Sequence, residues 1–143
     1  MKLNMISTGI ELVGTTVKSL TVDNNIIDAE QDGKRNFGLN IHEPEFQQTD
    51  DRWFSQLLID FEVEINQSEG QECKIRLSLE GAFLSDENVD KELFEELVVV
   101  NGAAALIGIA RGKIEAITAN IFNNGKVVIP FVNVLDYYRK LSE

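Results

Sequence analysis

Strict alternation of apolar and polar side chains over residues 53–84 is the plainest pattern in the chain. Leu57, Ile59, Phe61, Val63 and Ile65 hold odd positions, while Gln56, Asp60, Glu62 and Glu64 hold even ones. That period of two marks a strand with one buried face. After NQSEGQ the pattern resumes, with Cys73, Ile75, Leu77, Leu79 and Phe83 set against Lys74, Arg76, Ser78 and Glu80. The two runs predict an antiparallel hairpin. With the turn centred on Glu69, Glu64 faces Lys74 and Glu62 faces Arg76, each pair contributing about 0.2–1 kcal/mol, and both apolar rows share one side. Upstream, residues 9–22 are rich in β-branched side chains, and the parity of the apolar positions shifts between Val17 and Leu20, which predicts a bulged or bent strand. Residues 23–34 carry the Asn, Asp and Gly of a mobile connection. Phe37, Leu39 and Ile41 then alternate with Gly38, Asn40 and His42, a further strand ending near Pro44.

Beyond residue 90 the period changes to that of a helix. LFEELVVV at 93–100 reads as a short helix with Asp90 near its cap, although the β-branched Val98, Val99 and Val100 leave a strand open. Residues 101–125 follow as a long helix whose Leu106, Ala110, Ile114, Ile117 and Ile121 line one face. Asn101 is placed to cap its start and Asn124-Gly125 to end it. Ala104, Gly108, Gly112 and Ala116 recur four apart as a stripe of small residues. Two interior glycines cost about 0.8–1.0 kcal/mol each relative to alanine, which close approach of another backbone offsets. That backbone belongs either to the chain's own sheet or to a second subunit, and the stripe is where a second subunit is expected. A membrane span is not expected, because the uncharged run 97–110 is short of the roughly 20 apolar residues required. Pro130 then interrupts regular structure, Asn133 is placed to cap, and Val134, Leu135, Tyr138 and Leu141 suit a terminal amphipathic helix.

The chain of 143 residues accommodates one domain. Its formal charge of −11, from 24 acidic and 13 basic residues, disfavours nucleic acid as a partner, since phosphate binding rests on Lys and Arg. By charge, positively charged or unfolded polypeptides suit it better. The opening MKLNMISTGIELVG lacks the basic patch, apolar core and cleavage site of a secretory signal. The single cysteine allows no internal disulfide. Both points lead us to expect a cytoplasmic protein.

Catalytic groups are sparse. His42 and Cys73 are the only residues of their kinds and fall on opposite sheet faces, so neither a Cys-His couple nor a zinc site is expected. Asp60, Glu62 and Glu64 offer carboxylates for acid-base chemistry or cation binding, but their alternation opposite Lys74 and Arg76 is that of a solvated sheet face. No glycine-rich phosphate loop is present. No cofactor or metal is expected. A small-molecule enzyme on the acidic face and a purely structural subunit stand as the alternatives to a binding protein. Of the adjacent Tyr137 and Tyr138, at least one is expected to face solvent or a partner, since neighbours on a helix point apart.

The order of four strands, long helix, loop and terminal helix, with GAF at 81–83, ALIGIAR at 105–111 and NNGKVVIPFVNV at 123–134, resembles the bacterial SecB export-chaperone superfamily. The matching positions are Gly81 and Phe83, Ala110 and Arg111, Gly125, and Asn133. The resemblance implies an α+β fold, a single SecB-like domain over 1–143 with a four-stranded antiparallel sheet and helices on one face. It implies a homotetramer, a dimer of dimers with the long helices between sheets, and Ala104, Gly108, Gly112 and Ala116 as interface candidates. It also implies an ATP-independent chaperone that holds unfolded polypeptides in apolar grooves, with Ile26, Ile27, Phe122, Val127, Val128, Phe131 and Tyr138 as client-groove candidates. Two departures stand out. AALIGI replaces the family's proline-containing stretch before the alanine-arginine pair, and Ser19, Lys74 and Arg76 stand where export chaperones present acidic residues to the export motor. A dedicated client such as an antitoxin is therefore an alternative to general export.

Overall fold

A computed structural model of the chain describes residues 9–143. The predicted hairpin forms the centre of an antiparallel sheet: β4 (Arg52–Asn66) pairs with β5 (Glu72–Ser85), with Glu62 opposite Arg76 and Glu64 opposite Lys74. The turn lies at Ser68–Gly70, where Glu69 takes a positive φ of 62°. All five odd-numbered apolar residues of β4 named above, and their five counterparts on β5, are buried, the nine aliphatic and aromatic ones each contributing about 1.5–3 kcal/mol on leaving water.

Strand β1 (Ile10–Asn24) lies on the outer side of β5, and β2 (Lys34–Ile41) on the outer side of β4, giving the order β1-β5-β4-β2. A short β3 (Glu45–Thr49) continues along the same edge of β4 beyond β2. The sheet is therefore four strands wide, as expected, but built from five segments, with Pro44 separating β2 from β3. Register shifts occur between Leu12 and Gly14 and between Val17 and Ser19. The second is the predicted bulge, and it keeps Val17 and Leu20 on the same face. The connection 25–33 is held rather than loose: Ile26 is buried, and Asp28 bridges to Asn124.

The long helix begins ten residues earlier than the sequence pattern indicates. Helix α1 (Lys91–Leu97) passes through a π-helical turn at Val98–Gly102 into α2 (Ala103–Ile121) without interruption. Asn101 is thus an exposed residue in mid-helix and not a cap, and Gly125 lies past the end, with a φ of 83° in the following connection. Close packing accounts for the continuity. A Cβ on Gly102 would stand 2.9 Å from the Phe83 ring, and one on Gly81 would stand 2.6 Å from Leu106. Phe83 thus fills the space that Gly102 leaves, and Leu106 the space that Gly81 leaves, fixing helix to sheet twice over. The GAF segment is one half of that double fit. At 31 residues the continuous helix Lys91–Ile121 is long and apolar enough to cross a membrane, so the length argument made from residues 97–110 does not hold. Its apolar inner face is accounted for by packing: Phe94, Val98, Leu106, Ala110 and Ile114 are core residues.

Candidate functional site

Three side chains on one row of α2, Arg111, Glu115 and Thr118, take hold of the segment that follows the helix. Thr118 Oγ1 accepts from Val127 N at 3.0 Å, and Glu115 Oε1 accepts from Ile129 N at 3.1 Å. Arg111 donates to the Ile129 carbonyl through Nη2 at 2.8 Å and Nε at 3.2 Å. Residues 127–129 are thereby bonded in an extended run by side chains instead of a strand. Val127 and Ile129 turn inward to the core, and Val128 turns out. At its start the segment is joined to the connection 25–33, where Asn123 N donates to the Ile27 carbonyl and both Asn123 and Asn124 side chains donate to Asp28. Gly125 packs against Ala29, where a Cβ would meet another carbon at 3.0 Å.

Helix α3 (Val134–Leu141) begins at Asn133, whose Oδ1 accepts from Asp136 N as predicted for the cap. Tyr137 reaches from it to the sheet, its hydroxyl accepting from Ile41 N at 2.9 Å. Between α3, the 127–132 segment and β2 lies an open trough of about 320 Å³. Phe61 and Ile129 form its floor, Phe37 and Leu39 one wall, and Val132 and Tyr137 the other. Ile41 directs its N–H away from β4. By strand alternation the backbone groups of Phe37 and Leu39 point the same way, so β2 is an open edge beside an apolar trough.

The seven client-groove candidates fall elsewhere. Ile26, Phe122 and Val127 belong to the chain's own core, at 2, 5 and 0 % exposure, because the side-chain rail on α2 and the Asp28 bridge draw their segments inward. Ile27 and Val128 are exposed outside the trough, Phe131 is 90 % exposed with the Arg111 guanidinium 4.3 Å from its ring centre, and Tyr138 is half-buried edge-to-face with Tyr137. From the same segment as Val127, Val128 and Phe131, it is Ile129, Pro130 and Val132 that line the trough. In sequence Phe37 and Leu39 carry only the alternation of sheet residues, since the strand order alone reveals that β2 is an edge. The small residues Ala104, Gly108, Gly112 and Ala116 are all exposed, and a Cβ on either glycine would meet nothing within 4 Å. The stripe therefore does not serve packing on the chain's own sheet.

The solvated sheet face carries the other polar cluster. Asp60 Oδ2 lies 2.6 Å from His42 Nε2, and Asp60 Oδ1 accepts from Ser78 Oγ at 2.5 Å. Partial burial works to raise the Asp60 pKa, but the Ser78 and His42 hydrogen bonds and the nearby His42 outweigh it and hold the carboxyl below its ordinary value. The carboxylate stands between histidine and hydroxyl, so Ser78 donates to an acceptor and is not activated by a base. Arg76 and Glu62 approach to 3.4 Å as an exposed pair. No group of three metal-binding side chains occurs among the described residues. Cys73 is fully buried, and desolvation, with a smaller effect of Asp23, pushes its thiol up to about 11.

No family model matches the sequence, and no curated protein sequence matches it. The three-dimensional structure does find relatives. The Mycobacterium tuberculosis SecB-like chaperone Rv1957, solved in complex with a ChAD peptide from the Rv1956 HigA1 antitoxin, superposes with a TM-score of 0.57 over 90 % of this chain and 94 % of that one. The fold is SecB-like. Identity between the two chains is 10 %, so the likeness is one of fold alone.

Proposed function

We propose that this SecB-like chain is a non-catalytic chaperone or adaptor that holds extended polypeptide. The observation that carries the reading is the open β2 edge beside the apolar trough. An extended client gains backbone hydrogen bonds from Phe37 and Leu39, which demand no particular sequence, while alternate apolar side chains leave water against the partly exposed Phe37, Leu39, Val132 and Tyr137 above the buried floor. No nucleotide, metal or cofactor enters the reading. The proposed setting is the cytoplasm, with neither nucleic acid nor membrane as partner.

Assembly as a homotetramer belongs to the same proposal. Leu12, Val17, Leu20 and Val22 lie opposite the buried Phe83, Leu79, Leu77 and Ile75 of β5, yet are 37–47 % exposed. An apolar row kept in phase by two bulges and left uncovered by its own helix is suited to a second copy, as is the small-residue face of α2. The α2 face, about 28 Å long and 10 Å wide, supplies only about 280 Å² per chain. The β1 row from Leu12 to Val22, about 36 Å long and of similar width, brings the sum to about 640 Å², somewhat below the roughly 800 Å² per partner of a stable interface.

The test is aggregation of a chemically unfolded protein with and without this protein, in the absence of nucleotide. Suppression at stoichiometric ratios is expected, and it is lost on Leu39→Asp, which keeps the fold because β2 is an edge. Unchanged aggregation with the native protein in excess refutes the reading. A dedicated client is the second reading, favoured by the antitoxin peptide in the structural relative. Affinity capture that recovers one antitoxin-like protein supports it, whereas recovery of many nascent chains with an export motor supports general export.

A further inference from the structure

The trough does not share the acidic excess of the molecule: its lining holds one anion, Asp136, and one cation, Lys140. Of the side chains that line it or bond directly to a lining residue, Lys140, Arg111 and Arg139 are cationic, and Asp136 and Glu115 are anionic. Four of these five are engaged: Arg139 holds Asp136 at 2.7 Å, Arg111 donates to the Ile129 carbonyl, and Glu115 accepts from Ile129 N. Lys140 has no ion-pair partner among the described residues and stands at the rim. Arg35, two residues from Phe37 in the same inward row of β2, spends its guanidinium on the carbonyls of Glu30, Gln31 and Gly33 and meets no carboxylate. The acidic excess lies elsewhere, on the outer sheet face with Asp60, Glu62 and Glu64 and at the end formed by the turn after β3 and the start of α1.

Resting on the groove reading above, we infer that the trough selects extended segments in which acidic residues flank the apolar ones, with Lys140 as the principal contact. The chain's net charge of −11 suggests the reverse preference, for basic clients. Asp60, Glu62 and Glu64 project into solvent from the opposite face of the sheet, where at physiological salt exposed charges are screened over about 8 Å. Charges on the outer face are therefore damped at the trough, while Lys140 acts at contact distance. Local charge thus decides which segment stays bound.

Two synthetic peptides of about 14 residues test this, sharing one alternating apolar centre and flanked by Glu pairs or by Lys pairs. Their binding to the intact protein is followed by fluorescence anisotropy in about 0.15 M and about 0.5 M NaCl. The Glu-flanked peptide is expected to bind about two- to fivefold more tightly at the lower salt, the size of one or two exposed ion pairs, with the gap closing at the higher salt. Lys140→Glu should reverse the preference, and Lys140→Gln should abolish it, with circular dichroism unchanged for both. Equal binding of the two peptides, tighter binding of the Lys-flanked one, or a preference that survives Lys140→Glu overturns the inference while leaving the groove intact. Failure of both peptides to bind overturns the groove reading and this one with it.

Discussion

Replacing Gly108 and Gly112 by alanine separates the stability of the chain from its association. Within one chain a Cβ at either site meets nothing within 4 Å, so no steric cost arises, and alanine is favoured over glycine in a helix interior by about 0.8–1.0 kcal/mol per site. The double variant should therefore stabilise an isolated chain by nearly 2 kcal/mol, worth about 2–4 °C in Tm per kcal/mol at this size. Against the close-packed backbone of a second copy, each added methyl instead meets overpacking costs of about 1–3 kcal/mol. Leucine at both sites enlarges that penalty without altering the intrachain argument. The assay is light scattering for mass, with thermal unfolding measured across a hundredfold range of protein concentration. The expected outcome is a shift toward smaller species, strongest for Gly108→Leu with Gly112→Leu, and a native Tm that rises with concentration as mass action requires. An unaltered mass for the leucine variant, with Tm independent of concentration, refutes the assignment of this face to a subunit interface.

Other expectations follow from the packing and from titration. Gly81→Ala should destabilise by about 1–3 kcal/mol because Leu106 is fully buried and has no room to yield; in a double-mutant cycle by urea denaturation, Leu106→Ala should cost less in that background than alone, and strict additivity would remove the Gly81–Leu106 fit. Thr118→Val should strand the buried Val127 N–H at a cost of about 1–3 kcal/mol and weaken client binding through the shifted wall, whereas Thr118→Ser should restore both; hydrogen exchange at Val127 reads the effect directly. The depressed Asp60 pKa means that its contribution to stability is present above the unfolded carboxyl pKa of about 3.9 and is lost as pH falls through the lower folded value. Asp60→Asn should therefore lower the urea midpoint near pH 6 and make progressively less difference toward pH 2, and a gap that does not narrow over that range would contradict the assignment.

The parts of the fold legible in sequence are those in which one residue's environment repeats every second or every fourth position. The β4–β5 hairpin is legible in its register because ten apolar residues and the Glu62–Arg76 and Glu64–Lys74 pairs all demand one alignment. The bulge near Lys18 is legible from the changed parity of Val17 and Leu20. Strand β3 is not, since Phe46 is the one large apolar residue in EFQQT and pairing with β4 alone makes it a strand. The helix start misleads for a tertiary reason: Val98, Val99, Val100, Asn101 and Gly102 form a local stop signal, which the packing of Phe83 on Gly102 overrides. The candidate site is half legible. The segment after α2 carries its apolar residues in view, but their inward parity depends on Arg111, Glu115 and Thr118, and no periodicity in residues 122–133 conveys which backbone groups those side chains will hold. That Phe37 and Leu39 border an open edge follows from strand order, which alternation along a single strand does not encode.

The two bulges of β1 bear on which strands can add to its edge. A straight fifteen-residue edge strand with an apolar row is a template for indefinite sheet growth, and a regular edge accepts an added strand in any of several registers. Interruptions between Leu12 and Gly14 and between Val17 and Ser19 place local twist at two fixed points, and Lys18 stands at the second. A strand arriving in a slipped register meets mismatched hydrogen-bond spacing at one bulge or the other. The same irregularities that keep the apolar row in phase thus limit the registers in which another strand can add, and removing the second bulge by deleting Lys18 would be expected to promote aggregation.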